Sequence, residues 1–157
     1  MGTHFKGTKK EIHSLNSFIK LLRAADSVSS RVNLSLVKNG LTQSQFNVLD
    51  ALFHLGSLSQ RDLGKKIFKS GGNITMVIDN LEKQELVERE RGKKDRRFFT
   101  IHLTKKGKAL YEKIFPVQLE AIVKEFNVLS EYEMIELQKL CKLIGKQSSE
   151  EKLDKIK

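Results

Sequence analysis

The chain has 157 residues, which suits one domain or a small domain with helical extensions. Its 29 Lys and Arg residues outnumber 19 Asp and Glu residues, and the formal net charge of +10 favours a polyanionic partner such as nucleic acid. No run approaches the roughly twenty apolar residues of a membrane span, and the N-terminus lacks the apolar core of a signal peptide. We therefore expect a cytoplasmic protein with no membrane partner.

The N-terminal segment predicts one long amphipathic helix, from Lys9 to about Lys38. Its apolar residues recur at three- and four-residue steps, at Ile12, Leu15, Phe18, Ile19, Leu22, Ala25, Val28, Val32 and Leu36. Asn39 and Gly40 should end this helix, because both residue types tolerate the left-handed conformation. The apolar stripe is longer than one small domain readily covers, which indicates a partner subunit.

Two shorter helices follow. Thr42 and Gln45 form a capping-box pattern at the start of a helix that should end at Gly56. Ser59 and Asp62 repeat the pattern at the start of the next helix.

A third short helix is predicted after the turn formed by residues 70–73, and it should continue through Lys83. Its core-facing positions, with helical spacing, are Ile74, Val77, Ile78 and Leu81. The opposite face carries small and polar side chains, at Gly72, Asn73, Thr75, Met76, Asp79, Asn80 and Lys83. Such groups hydrogen-bond base edges and phosphates at close range, so this face is a candidate nucleic-acid surface.

A two-stranded hairpin is predicted next, with one strand around Leu86–Arg89 and its partner around residues 98–103. The tip between the strands is strongly basic, with Arg91, Lys93, Lys94, Arg96 and Arg97 around a single acidic residue, Asp95. A run of this kind is either a solvated hairpin tip or a contact surface for a polyanion. We favour the second interpretation, because closely spaced cations repel one another unless an anion compensates them.

The C-terminal third predicts two more helices. Thr104 should cap the first, which Pro116 should bend or split, and Ser130 with Glu133 should cap the second. The single cysteine, Cys141, excludes an intramolecular disulfide and lies on the apolar stripe of the last helix, so we expect a buried structural thiol.

These elements predict a mainly α-helical protein with a small β-hairpin wing, which is a winged helix-turn-helix. Its expected segments are an N-terminal helix at residues 1–40, a DNA-binding lobe at 41–104 and C-terminal helices at 105–157, joined as one continuous domain. The third short helix, which continues through Lys83, would fit into the major groove of duplex DNA, and the basic tip would reach the minor groove or the backbone.

The sequence resembles the MarR family of transcriptional regulators over most of its length. The most specific match is in the wing, where Asp95 and Arg97 are followed by Leu103, Thr104 and Gly107. Further matches lie in LTQSQFNVLDAL, LSQRDLGKKI and SGGNITMVIDNLEKQELVERE.

The resemblance implies that both end segments, 1–40 and 105–157, are dimerisation helices. They would interlock in a homodimer whose two lobes bind a pseudo-palindromic operator, mostly as a repressor. In family terms Arg97 would enter the minor groove, with Asp95 holding it, and Ser70, Asn73, Thr75 and Met76 would lie on the major-groove helix. The complete set of predicted DNA-binding residues is Ser70, Gly72, Asn73, Thr75, Met76, Lys83, Lys93, Lys94, Asp95, Arg96 and Arg97. A small aromatic effector would bind between the dimer helices and the lobe.

The expected lining of that effector pocket is Phe18, Leu22, Phe46 and Tyr111, although apolar residues at such positions are more often plain core. No other cofactor and no metal are expected, because the four histidines are scattered and no cluster has ligand spacing.

The sequence departs from the family's pattern at Glu85 and in lacking a cysteine in the first helix, and Asp79 raises a separate question. Glu85 stands where the family commonly has Gly, so the turn must use a less favourable left-handed residue or another geometry. Asp79 lies on the face assigned to DNA, where a carboxylate repels phosphate. We expect it to pair with Arg97 or Lys83, or to accept a hydrogen bond from a cytosine. The family's peroxide sensors carry a cysteine in the first helix, and this chain has none there.

Two other classes of function are alternatives to a transcriptional regulator. An enzyme is disfavoured, because the sequence shows neither a Gly-rich phosphate loop nor a Ser/His/Asp pattern. The second alternative is a winged-helix module for non-specific nucleic-acid or protein interaction.

Overall fold

The structure, a computed structural model, describes residues 4–67, 74–91 and 99–154, with the backbone alone at 147–154. It confirms a mainly helical fold with a small antiparallel sheet. The elements in chain order are α1 (Lys9–Val32), α2 (Leu34–Lys38), α3 (Gln43–Leu55), β1 (Leu58–Ser59), α4 (Gln60–Ile67), α5 (Ile74–Lys83), β2 (Val87–Arg91), β3 (Phe99–Leu103), α6 (Lys105–Phe126) and α7 (Glu131–Asp154). None of the helices in this part of the chain combines the length and apolar composition that a membrane span requires.

The N-terminal segment contains two helices, so the prediction of a single helix to Lys38 is wrong. The break falls at Asn33, whose carbonyl accepts hydrogen bonds from the N–H groups of Leu36 and Val37, both at 3.1 Å. Asparagine is unfavourable inside helices because its side chain competes for local backbone groups. The end of α2 follows the prediction at Gly40, with a φ of 72°, whereas Asn39 stays outside the left-handed region.

The predicted helix caps are confirmed. The Thr42 hydroxyl accepts a hydrogen bond from the Gln45 N–H, and the Gln45 side chain accepts from the Thr42 N–H at 2.8 Å. Ser130 and Glu133 make the same reciprocal pair at α7. Each pair satisfies backbone donors that the first helical turn leaves without partners, which fixes where the helix begins.

The sheet has three strands in the order β1-β3-β2, so the prediction of a two-stranded hairpin is incomplete. Leu58 pairs with Ile101 and Ser59 with Thr100. The short segment before α4 is therefore the third strand of the sheet, and it lies on the side of β3 opposite to β2. The strand escaped prediction because two residues are too few to produce an alternating pattern.

The backbone contacts divide the chain into two compact units, residues 1–120 and 121–157. The first unit holds the core, in which α3, α4, α5, the sheet and α6 meet around buried side chains that include Leu49, Leu63, Ile78, Leu81, Ile101 and Tyr111. Pro116 lies inside α6, which runs unbroken from Lys105 to Phe126. Of the two predicted effects of the proline, a bend or a split, the split is wrong.

Cys141 is exposed, so the prediction of a buried thiol is wrong. It lies on α7 in the second unit, among side chains that are also exposed. Leu140, Leu143 and Ile144 are all more than half accessible. The side chains of this apolar stripe are therefore exposed in the part of the chain that the structure describes.

Candidate nucleic-acid interface

Helix α5 separates an apolar face from a polar one, as the sequence predicts. Ile78 and Leu81 are completely buried in the core, and Ile74 and Val77 are half-buried against it. Thr75, Met76 and Lys83 are exposed. Because residues three and four apart share one helix face, the burial of the apolar face fixes which side chains remain available for a partner.

Most of the predicted DNA-binding residues lie outside the described residues. This applies to the turn before α5, with Ser70, Gly72 and Asn73, and to the wing tip, with Lys93, Lys94, Asp95, Arg96 and Arg97. Their roles stay predictions. The structure does describe the two strands that lead into and out of the tip, because Arg91 pairs with Phe99 at the last described step of the β2–β3 ladder.

Arg89 joins the wing to α5. Its Nη2 atom lies 2.5 Å from Asp79 Oδ1, and its Nη1 atom donates a hydrogen bond to Glu82 Oε2 at 2.9 Å. The Nη2 group also donates to the backbone carbonyl of Thr75 at 3.4 Å. The Arg89 side chain is 19% exposed, so these charge-assisted contacts form in a partly desolvated setting, where they are stronger than in open water.

Asp79 therefore has the expected basic partner, and among the described residues it is Arg89, which the sequence analysis did not name. The predicted contact with Arg97 lies outside the described residues. A signal for Arg89 exists in the sequence: it lies two residues after Val87 in a strand, and alternate strand residues share a face. Val87 is buried, so Arg89 points toward the core side of the wing, where a charged group requires a partner.

Thr75 is held from a second side by Gln60, the first residue of α4. The Gln60 Nε2 group donates a hydrogen bond to Thr75 Oγ1 at 2.9 Å. This contact ties the start of α4 to the start of α5. Sequence reasoning missed it, because helical spacing gives the face of each residue but not the contacts between helices.

The outer face of the sheet carries a chain of polar contacts through His102. Its Nδ1 atom lies 2.7 Å from Ser57 Oγ, and its Nε2 atom lies 3.1 Å from Glu90 Oε2. The contacts link the residue before β1 to β3 and to β2. They therefore brace the sheet from which the wing tip extends.

The surroundings of Gly107 explain why the wing signature contains a glycine at this position. Thr104 donates its hydroxyl hydrogen to the backbone carbonyls of Glu85 and Leu86, and the Gly107 N–H donates to Thr104 Oγ1 at 2.9 Å. A Cβ atom at Gly107 would overlap the carbonyl oxygen of Leu86. Only glycine therefore allows α6 to begin this close to the base of the wing.

The four predicted pocket residues separate into two groups. Phe46 and Tyr111 are buried in the core, and their rings stack with centroids 5.6 Å apart. The Tyr111 hydroxyl donates to Asp50 Oδ1 at 2.6 Å, and burial, together with the nearby carboxylate, raises the pKa of this phenol. Phe18 and Leu22 lie on α1 and are more than half exposed. A shared pocket for the four residues stays a prediction.

A cavity of about 300 Å³ opens beside this aromatic cluster. Its lining consists of Leu52, Phe53, Leu103, Thr104, Lys105 and Lys108. Lys108 Nζ lies 6.0 Å from the centroid of the Phe53 ring. Among the described residues, no group of three or more His, Cys, Asp or Glu side chains is arranged to hold a metal ion.

The helices α4 and α5 with the three-stranded sheet form a winged helix-turn-helix. Comparison with known proteins agrees, because residues 41–98 match the model of the MarR family. The transcriptional regulator MhqR of Bacillus subtilis is 37% identical over 132 residues, which cover 84% of this chain and 91% of MhqR. The chain therefore belongs to the MarR family of DNA-binding transcriptional regulators.

Solved structures share the fold. AbsC, a MarR family regulator from Streptomyces coelicolor, matches with a TM-score of 0.80 and 21% identity, over 92% of this chain and 99% of AbsC. A mutant MarR from E. coli, solved in complex with operator DNA, matches with a TM-score of 0.75 and 24% identity. That alignment covers 88% of this chain and 99% of the E. coli protein.

Proposed function

We propose that this protein is a sequence-specific regulator that binds a pseudo-palindromic operator in duplex DNA as a homodimer and represses transcription in the cytoplasm. The observation that carries the proposal is the exposed polar face of α5, set beside a basic wing in a chain of net charge +10. Thr75 would contact base edges or phosphates in the major groove, and Lys83 would contact the backbone. The cations of the wing tip, including Arg97, would follow the neighbouring minor groove.

The exposed apolar faces of the end helices support the homodimer. Phe18 and Leu22 on α1, and Leu140 and Leu143 on α7, are more than half exposed although they stand in amphipathic repeats. An exposed apolar helix face of this kind is typical of an interface. A two-fold dimer would present two copies of α5, and its symmetry would match that of an inverted repeat.

The cavity beside the aromatic cluster supports a small aromatic acid as effector. The Phe53 ring offers an apolar face, and Lys105 and Lys108 offer cationic groups that attract a carboxylate. The cavity, of about 300 Å³, is at the lower end of the range of small-molecule sites. An aromatic carboxylic acid bound there would contact α3, the end of β3 and the start of α6, which together carry the wing.

The experiment begins with selection of duplexes from a random-sequence library by the purified protein. We expect one inverted repeat with half-site centres about 34–36 Å apart. Fluorescence anisotropy should then give a preference of at least about a thousandfold over a scrambled duplex of equal composition, and this preference should persist as salt rises. A hydroxybenzoate should weaken binding to the selected duplex more than cyclohexane carboxylate does.

A non-specific winged-helix module would behave differently in the same experiment. The selection would yield no consensus, and the selected and scrambled duplexes would lose affinity together as salt rises. That result would contradict the proposal and would favour the alternative of non-specific nucleic-acid or protein interaction.

A further inference from the structure

We propose that Arg89 is a positioning residue for DNA binding: it neutralises Asp79 on the DNA-facing side of α5 and fixes that helix against the wing, without touching DNA itself. The proposal rests on the proposed function, because it concerns how the reading helix is presented to duplex DNA. It assigns a role in recognition to a residue on the core side of the wing.

The contacts of Arg89 follow a single strip of α5. Thr75, Asp79 and Glu82 stand at positions i, i+4 and i+7, which lie on one side of a helix. Arg89 reaches all three from β2 with two of its terminal nitrogens, while its Nε group is buried without a hydrogen-bond partner. With both carboxylates engaged and a side chain that is 19% exposed, the guanidinium is not available to a phosphate.

The charges explain why this pairing matters for DNA. Asp79 and Glu82 are each about two-fifths exposed, so they lie where an approaching phosphate backbone would meet them. Unpaired, both would repel the phosphates, since exposed charges interact over roughly a Debye length of 8–10 Å. The positive charge of Arg89 offsets one of the two negative charges, and its guanidinium contacts both carboxylates.

The same contacts couple the helix to the wing. Arg89 lies two residues before Arg91, the last described residue of β2, and the chain continues from there into the wing tip. A guanidinium presents its donors in a rigid planar fork, so two carboxylates at fixed positions determine where α5 stands relative to β2. The spacing between the major-groove and wing contacts therefore depends on Arg89.

The test is a double-mutant cycle on affinity for the selected duplex. Arg89→Met, which keeps much of the side-chain volume and removes the charge, should weaken binding by about tenfold to a hundredfold. Asp79→Asn alone should change affinity by less than about threefold. The double variant should bind more tightly than Arg89→Met alone, because the carboxylate that Arg89 neutralised is absent, but it should stay below the wild type, because the link from β2 to α5 is lost and Glu82 remains unpaired.

Arg91→Met is the matched control. It removes the same charge from the same strand two residues away, where the guanidinium lies over the Phe99 ring at 5.6 Å. Asp79→Asn should change the affinity of this variant by the same factor as it changes the wild type. If Asp79→Asn restores affinity in the Arg89→Met variant but not in the Arg91→Met variant, the effect comes from the neutralisation of Asp79. A general loss of positive charge would affect both variants alike.

Thermal unfolding of every variant separates recognition from folding. Asp79 and Glu82 can be hydrated when unpaired, so rescue of affinity by Asp79→Asn should exceed any rescue of the melting temperature. If Arg89→Met unfolds, Arg89→Gln provides the same charge removal with a side chain that can still hydrogen-bond. Additive effects of the Arg89 and Asp79 substitutions would overturn the proposal. A wild-type protein without sequence preference would instead overturn the proposed function.

Discussion

Glu85 adopts a left-handed backbone conformation, with a φ of 61°, in the turn between α5 and β2. The sequence left two alternatives for this turn, a left-handed residue or another geometry, and the structure shows the first. Lys106 compensates in part for the strain of this conformation, because its ammonium donates a hydrogen bond to Glu85 Oε2 at 2.8 Å. This hydrogen bond and the Lys106 charge lower the pKa of the Glu85 carboxyl.

Glu85→Gly should raise the midpoint of thermal unfolding by a few degrees, because glycine adopts positive φ without steric cost. The sign of its pH dependence follows from the lowered pKa. The ion pair stabilises the wild type above the ordinary glutamate value of 4.5, and this contribution disappears as pH falls through the folded-state pKa. The advantage of glycine should therefore grow in acid.

Gly40→Ala is the matched control for this prediction. It makes the reverse change at a φ of 72°, where an added Cβ atom would meet nothing within 4 Å. It should lower the melting temperature through backbone strain alone. A Glu85→Gly protein that melts below the wild type at neutral pH would mean that the Lys106 pair outweighs the strain.

Arg89 illustrates the limit of residue-scale prediction. Strand alternation places it on the core side of the wing, but only the packing of α5 against β2 reveals Asp79 and Glu82 as its partners. Likewise, the pattern at Asp95, Arg97 and Gly107 identified the family, whereas the overlap that excludes a side chain at Gly107 needed coordinates.

At the scale of elements, capping and periodicity predicted most boundaries. The starts of α3 and α7 lie where Thr42 and Ser130 cap them, and the core face of α5 is the predicted one. The failures have local causes. Strand β1 is too short to have a period, and the break at Asn33 interrupts an apolar stripe that continues on both sides.

Pro116 is the exception inside α6, where it removes the hydrogen bond to the carbonyl of residue 112 without ending the helix. Pro116→Ala should therefore stabilise the protein by about 1–2 kcal/mol, since the restored hydrogen bond outweighs the lost rigidity of proline in the unfolded chain. Urea unfolding measures this change, and Glu120→Ala, an exposed substitution in the same helix, should stay within about 0.5 kcal/mol. A less stable Pro116→Ala protein would show that the core needs the proline's local geometry.

At the scale of the whole molecule, the amphipathic repeats predict more apolar surface than the single chain buries. Phe18, Leu22, Leu140, Leu143 and Ile144 remain largely exposed. The same fact explains the wrong prediction for Cys141: a position on an apolar stripe implies burial only if something covers the stripe. The spacing of apolar residues predicts the stripe, but it does not encode which surface covers it.

The central claim, a dimer that places two winged lobes on one operator, is tested most directly by sedimentation of the protein with and without the selected duplex. We expect a dimer at micromolar concentration and two chains on each duplex. Leu143→Glu should yield monomers that bind DNA weakly and do not prefer the inverted repeat, while Lys142→Glu, outside the apolar repeat, should stay dimeric. A monomeric wild type, or one chain on each inverted repeat, would contradict the claim.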